Sequence, residues 1–120
     1  MRIKIIASGS QGNCTFVELN DTRFLIDPGV SCLTIEKSLK KNNISPQTID
    51  YILLTHSHND HVRGLMSFMK KYPASIYLGE KTLKKLDYIK TKYNLISKNF
   101  MLNEISINAF HTSHDIEESY

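Results

Sequence analysis

Cysteine is scarce in this 120-residue chain: Cys14 and Cys32 are the whole supply, and they form no C-x-x-C pair. Two thiols can bridge, but nothing else in the sequence points to a secreted disulfide scaffold. Long apolar runs are missing too. The opening Met-Arg-Ile-Lys-Ile-Ile-Ala-Ser is too short in its apolar stretch for the core of a signal peptide. No segment approaches the roughly 20 apolar residues that span a bilayer. These absences make a cytoplasmic protein with reduced thiols, and no membrane partner, the expectation. Repeats, linkers and low-complexity tracts are also absent. Arginine is limited to Arg2, Arg23 and Arg63, so the formal charge of +3 comes mainly from lysine. A mild lysine excess reads as a solvated surface, compatible with a nucleic-acid substrate but not evidence for one.

The chain has 41% hydrophobic and 22% charged residues, which suits one small globular domain and not two. Arg2 to Ala7 reads as a strand, broken by the turn-forming Ser8-Gly9-Ser10-Gln11-Gly12-Asn13. Cys14 to Leu19 alternates as a second strand, and Asn20-Asp21 turns the chain into a third over Thr22 to Asp27. Ser31 can cap a helix reaching about Asn42, with Ile35 and Leu39 on one face. The compact apolar run Tyr51-Ile52-Leu53-Leu54, within Asp50 to Thr55, predicts a strand buried on both faces. A helix from about Asp60 to Lys71 follows, with Val62, Leu65, Met66 and Met69 as its apolar stripe. Ser75 to Leu78 reads as a short strand, Glu80 to Tyr93 as a helix with Leu83, Leu86 and Ile89 inward, and Ile105 to Phe110 as the last strand. Strands alternating with helices predict a layered α/β fold, with helices packed on a sheet. The sequence stops at Tyr120, just past a loop and with no closing element, so residues 1–120 read as a partial domain.

Three of the five histidines, His56, His58 and His61, fall within six residues, with Asp60 between the last two. All four are metal-ligand types. His56 and His58 stand two residues apart as the chain leaves a buried strand, where extended backbone points both imidazoles the same way, toward one ion. Asp60 and His61 lie at the start of the next helix, where the change of direction can aim them at a second ion. Gly64 follows, leaving room for close packing. A lone histidine is usually a surface or satisfied core residue. Four ligand-type residues in a strand–loop–helix setting are a much stronger signal. Cys14 falls in a predicted strand and Cys32 in a predicted helix, so both read as core residues rather than ligands. The Gly-rich start reads as a short turn first and as a backbone N–H nest for phosphate second.

The segment Thr55-His56-Ser57-His58-Asn59-Asp60-His61 resembles the signature of the metallo-β-lactamase superfamily. Its flanks agree. Phe24-Leu25-Ile26-Asp27-Pro28-Gly29 is similar to the family's upstream Asp motif, and Ile49 to Leu54 to the strand before its histidines. The start Ser8 to Asn13 and the late Ser113-His114-Asp115 resemble one branch, the YycJ (WalJ) group of bacterial and phage proteins. The resemblance implies the amino-terminal half of an αββα sandwich. It implies that His56, His58 and His114 hold a first metal and that Asp60 and His61 hold part of a second. His111 competes with His114, and the Ser-His-Asp context favours His114. Asp27 would orient other groups rather than ligate, and Asn13 and Asp115 would line the cleft. The family also uses a later Asp that bridges the metals and a final His, neither of which this sequence contains.

Two divalent ions, Zn2+ first and Mn2+ second given the mixed His/carboxylate set, would activate a water as hydroxide for attack on phosphorus or carbonyl. Asp60 would orient that hydroxide. The branch implies a phosphodiesterase of the exonuclease type, with DNA as substrate. The alternatives are hydrolysis of a small ester, thioester or cyclic phosphate, and a truncated chain that binds metal without chemistry. A β-lactamase proper is disfavoured for a cytoplasmic chain. An incomplete domain should also expose an apolar face through which it associates.

Overall fold

The computed structural model describes residues 1–9, 11–55, 59–78, 93–95, 99–102 and 105–108, with backbone only for 59–60 and from 93 onward. Six strands form one mixed sheet in chain order: β1 (Arg2–Ala7), β2 (Cys14–Leu19), β3 (Thr22–Ile26), β4 (Tyr51–Leu53), β5 (Ser75–Leu78) and β6 (Tyr93–Leu95). The first three pair antiparallel and the rest parallel. A separate antiparallel pair comprises β7 (Asn99–Leu102) and β8 (Ile105–Asn108).

The antiparallel start follows from local chemistry. Asn20 and Asp21 take φ of 50° and 62° between the paired Leu19 and Thr22. Such positive values make the tight turn whose twist matches the flanking strands, and Asn and Asp tolerate them. The parallel part needs crossovers, and α1 (Cys32–Lys41) supplies the one between β3 and β4. Ser31 caps α1 by accepting a hydrogen bond from Thr34 N at 3.2 Å. At its far end Asn43 turns left-handed at φ 60°, letting Ile44 N donate to Leu39 O at 2.9 Å and Asn43 N to Lys40 O at 3.0 Å.

One face of the sheet carries the main core. Phe16, Leu25, Ile52 and Ile76 sit side by side across four strands and are all fully buried. Ile35 and Leu39 from α1 join Leu65 and Phe68 from α3 (Leu65–Lys71) in the same cluster. The opposite face holds Phe24 with Val17, Leu19, Tyr51, Leu53 and Tyr77. The Tyr51 ring lies 5.6 Å from Phe24 and 5.8 Å from Tyr77, centroid to centroid. At its β1 margin, where Ile3 pairs with Val17, Ile3 and Ile5 are 56% and 66% exposed. The expected strand buried on both faces is therefore only half so: Ile52 and Leu54 are buried, Tyr51 and Leu53 partly.

Three expectations need correction. The helix expected from Asp60 to Lys71 is two helices, α2 (Asn59–Val62) and α3, interrupted at Arg63-Gly64. Its buried positions are Val62, Leu65 and Phe68, while Met66 and Met69 are only partly buried. Gly64 N–H leaves the helical ladder to bond Pro28 O at 2.7 Å. A Cβ there would stand 2.2 Å from Val30 O, so the backbones approach as closely as only glycine permits. Tyr93 begins a strand rather than ending a helix, and β6, β7 and a 3-10 turn at Pro46–Thr48 are additions. Residues 80–92 and 109–110, on which the rest of the expected helix and last strand fall, lie outside the described residues.

Glu36 on α1 is buried at 8% exposure. Its carboxylate accepts the Tyr72 hydroxyl and sits 3.3 Å from Lys71 Nζ, so a polar tie fastens α1 to the end of α3. Among the described residues, no helix is long and apolar enough to cross a membrane.

Candidate metal centre

The site lies where the loops after β1, β3 and β4 meet. At the end of β3 the backbone of Asp27 turns left-handed at φ 57° while its N–H still donates to Leu53 O at 2.9 Å. That conformation is uncommon for a residue other than glycine and asks for compensation nearby. The Asp27 side chain supplies it. Its Oδ1 accepts Thr55 N at 2.7 Å, and its Oδ2 accepts the Thr55 hydroxyl and faces His61 Nδ1 at 2.8 Å. Asp27 is 5% exposed and the His61 side chain 18%. One buried carboxylate thus pins the start of the histidine segment at Thr55 and its end at His61.

The other nitrogen of His61 is defined as well. Asn13 Nδ2 lies 3.4 Å from His61 Nε2. The Asn13 amide orientation is fixed by Gly9, whose N–H donates to Oδ1 at 3.2 Å and whose carbonyl accepts from Nδ2 at 2.9 Å. With Nδ2 the donor, Nε2 is the acceptor and Nδ1 carries the proton toward Asp27. Carboxylate on Nδ1 and a lone pair on Nε2 is the arrangement a metal-ligating imidazole requires. The donor chemistry at His61 therefore fits a divalent cation.

The surrounding backbone holds this arrangement. Gly29 N–H bonds Asn13 O at 2.8 Å, and Gly12 N–H bonds Gly9 O at 3.3 Å. A Cβ on Gly12, whose φ is 155°, would lie 2.4 Å from Val30 Cγ1 and 2.9 Å from Gly29 O. The first loop is thus pressed against the Asp27 loop, which Gly64 also meets closely.

Of the expected ligands, His61 is placed as described. Asp60 lies in α2, with its side chain outside the described residues, as are His56, His58 and His114 in full. His111 and Asp115 are outside them too. Among the described residues no group of three or more His, Cys, Asp or Glu side chains converges as a metal site. Both cysteines are free and buried. Burial, then the charge of Asp27, pushes the Cys14 thiol up to about 12. Burial first and Glu36 next raise that of Cys32. Thiols so shifted stay protonated near neutrality and make poor ligands, as their core positions implied. Thr55 and Gly9 were not foreseen as site residues. Thr55 opens the histidine motif, but nothing in a lone threonine announces that it binds an aspartate 28 positions upstream.

Residues 7–98 match the family described as the Metallo-beta-lactamase superfamily. The chain belongs to that superfamily. Within it, the chain is similar to the exodeoxyribonuclease WalJ of Streptococcus pneumoniae serotype 2 (strain D39), 33% identical over 123 residues. That match covers 95% of this chain and 46% of the relative. A hydroxyacylglutathione hydrolase of Buchnera aphidicola subsp. Baizongia pistaciae is 41% identical over 68 residues, covering 54% of this chain and 26% of that one. Among solved structures, the subclass B3 metallo-beta-lactamase BJP-1 of Bradyrhizobium japonicum superposes with a TM-score of 0.80. It covers 98% of this chain and 52% of that chain at 18% identity, a likeness of fold alone. The chain spans about half the length of the WalJ relative. The superfamily fold accounts for the mixed sheet, the flanking helices and a site at the carboxyl ends of β3 and β4.

Proposed function

We propose that the protein is a metal-dependent phosphodiesterase acting on DNA in the manner of an exonuclease. The observation that carries this reading is the Asp27–His61 pair, which prepares one imidazole for a cation beside the histidine motif. Similarity to an exodeoxyribonuclease over 95% of the chain favours DNA. His56, His58 and His114 are assigned to one divalent ion, and Asp60 and His61 to a second, with Zn2+ preferred and Mn2+ as the alternative. Bound ions of this kind act as Lewis acids and lower the pKa of a coordinated water toward 7. Asp60 is the residue assigned to orient the attacking group, and Asp27 fixes the His61 ring.

Residues 1–120 are proposed as one half of an αββα sandwich. The exposed Ile3 and Ile5 on the β1 side of the sheet face around Phe24 and the greater length of the WalJ relative support this. On that view the second ion has only two ligands here, and residues 1–120 alone would cleave DNA poorly and associate through this face. The match to a hydroxyacylglutathione hydrolase supports a second reading, hydrolysis of a small thioester. The test compares end-labelled DNA with a hydroxyacylglutathione thioester as substrates of the zinc- or manganese-loaded protein. Turnover of DNA supports the first reading, and rapid thioester hydrolysis with intact DNA transfers the function to the second.

A further inference from the structure

The basic residues of the helical layer are gathered rather than scattered. The crossovers that carry α1 and α3 link parallel strands and pack on the same sheet face, so the two helices run side by side and end at the same margin. α1 finishes with Lys37, Lys40 and Lys41, and α3 with Lys70 and Lys71, all of them exposed. The two ends are tied together: Lys71 Nζ lies 3.3 Å from the Glu36 carboxylate, and the charge of Lys40 acts on the same carboxylate. Glu36 is the only acid on either helix, and at 8% exposure it is largely covered from solvent. Every other exposed position on α1 and α3 is uncharged. Lysine at a helix carboxyl end offsets the negative end of the dipole, which accounts for part of this charge but not for its sum. Five lysines less Glu36 leave +4, against about −0.5 from each helix end, so about +3 stays uncompensated. Lys37 also stands three and four residues from Lys40 and Lys41, spacings at which like charges destabilise a helix. A bound polyanion would relieve both.

We propose that the outer surface of α1 and α3 binds the phosphate backbone of DNA through Lys37, Lys40, Lys41, Lys70 and Lys71. This rests on the DNA reading above and adds to it the path of the strand beyond the metal centre. Both helices begin near that centre: α1 at Cys32, five residues after Asp27, and α3 at Leu65, four after His61. Arg63, exposed between α2 and α3, continues the positive charge toward it. At about 1.5 Å per residue, the 10 residues of α1 carry its last lysines about 15 Å from the start of the helix. That is roughly four nucleotides at about 3.4 Å each. A strand whose end enters the centre thus lays its following phosphates across the lysines. Contacts of this kind position a strand without reading its bases, which suits stepwise removal of nucleotides from any sequence.

The test is binding of a fluorescein-labelled DNA duplex to the intact protein, followed by anisotropy in EDTA so that no cleavage intervenes. The parent should bind with a Kd of about 1–100 µM near physiological salt, the range of sequence-independent binding, and more weakly as salt rises. Lys37→Gln, Lys41→Gln and Lys70→Gln together leave the Lys71–Glu36 tie in place. They should raise Kd at least about tenfold at low salt and lessen the slope of log K against log salt by about 2.7, since each phosphate contact contributes about 0.9. The same three positions changed to arginine should keep both readouts, and the glutamine variant should melt no lower than the parent. An unchanged Kd and slope in the glutamine variant would overturn the proposal. So would a parent that fails to bind DNA, and capture by phosphatidylserine vesicles through the same lysines would then make this face a membrane contact. Cleavage of end-labelled DNA with added Zn2+ is scored separately. Lysine-dependent binding without cleavage keeps the face and removes the nuclease reading, whereas cleavage with lysine-independent binding does the reverse.

Discussion

His61 Nδ1 stands 2.8 Å from Asp27 Oδ2, and the same carboxylate takes both the N–H and the hydroxyl of Thr55. A single side chain at the end of β3 thereby bonds both Thr55, just after β4, and His61 in α2. Asp27→Asn keeps the shape but replaces a strong acceptor with a neutral amide. Partners of this kind, behind a ligating histidine, typically contribute 10–100-fold to metal affinity. The Asn variant should lose about that much in Zn2+ affinity by calorimetry. Asp27→Ala should in addition destabilise the fold by about 1–3 kcal/mol in denaturant unfolding, since it removes the acceptor of the part-buried Thr55 N–H.

Gly64 gives a sharper test of the packing. A Cβ there meets backbone, Val30 O at 2.2 Å and Pro28 O at 3.3 Å, and backbone has little freedom to move aside. Gly64→Ala should cost about 3 kcal/mol of stability, near the upper end for overpacking. The contrasting change Met66→Ala, at a partly buried position, should cost less than about 1.5 kcal/mol. Urea midpoints of the two variants provide the comparison.

The Glu36 cluster predicts a pH dependence. The Tyr72 hydroxyl, then Lys71, hold the Glu36 carboxyl below its ordinary value. A carboxylate lowered in the folded state stabilises the fold above its unfolded pKa of about 4.3, and that contribution is lost as pH falls through the lower folded value. The bond to Glu36 pushes Tyr72 up to about 12. A phenol raised in this way stabilises the fold below about pH 10 and loses that contribution as pH rises through about 12. Melting temperature against pH should therefore show Glu36→Gln less stable than the parent at pH 7. The gap should narrow below about pH 4. A constant gap from pH 3 to 7 would show that Glu36 stabilises by packing alone.

Several elements were legible because each carries local information. Asn20-Asp21, the Ser31 cap and the apolar run into Thr55 announce a turn, a helix start and a strand within a few residues. The histidine motif and Asp27 could be read as a site, and the structure brings Asp27 and His61 together. Phe68 was missed for a physical reason. The Met66 and Met69 stripe assumes an unbroken 3.6-residue period, and the break at Arg63-Gly64 re-phases the helix so that Phe68 turns inward. At that break the Gly64 N–H bonds Pro28 O, 36 residues upstream, a contact no local pattern records. β6 and β7 escaped notice because Tyr93-Asn94-Leu95 and Asn99-Phe100-Met101-Leu102 are short and include asparagine, a poor strand former. In β6, pairing with distant β5 makes the strand.

The proposed function is DNA cleavage at a site organised around His56, His58, Asp60 and His61. It is tested most directly by release of nucleotides from end-labelled DNA, with residues 1–120 in the two-halved protein proposed above. Cleavage should require added Zn2+ or Mn2+ and fall at least about 100-fold in His58→Ala. Metal-independent cleavage, cleavage undiminished in His58→Ala, or intact DNA alongside rapid hydrolysis of a hydroxyacylglutathione thioester would contradict it.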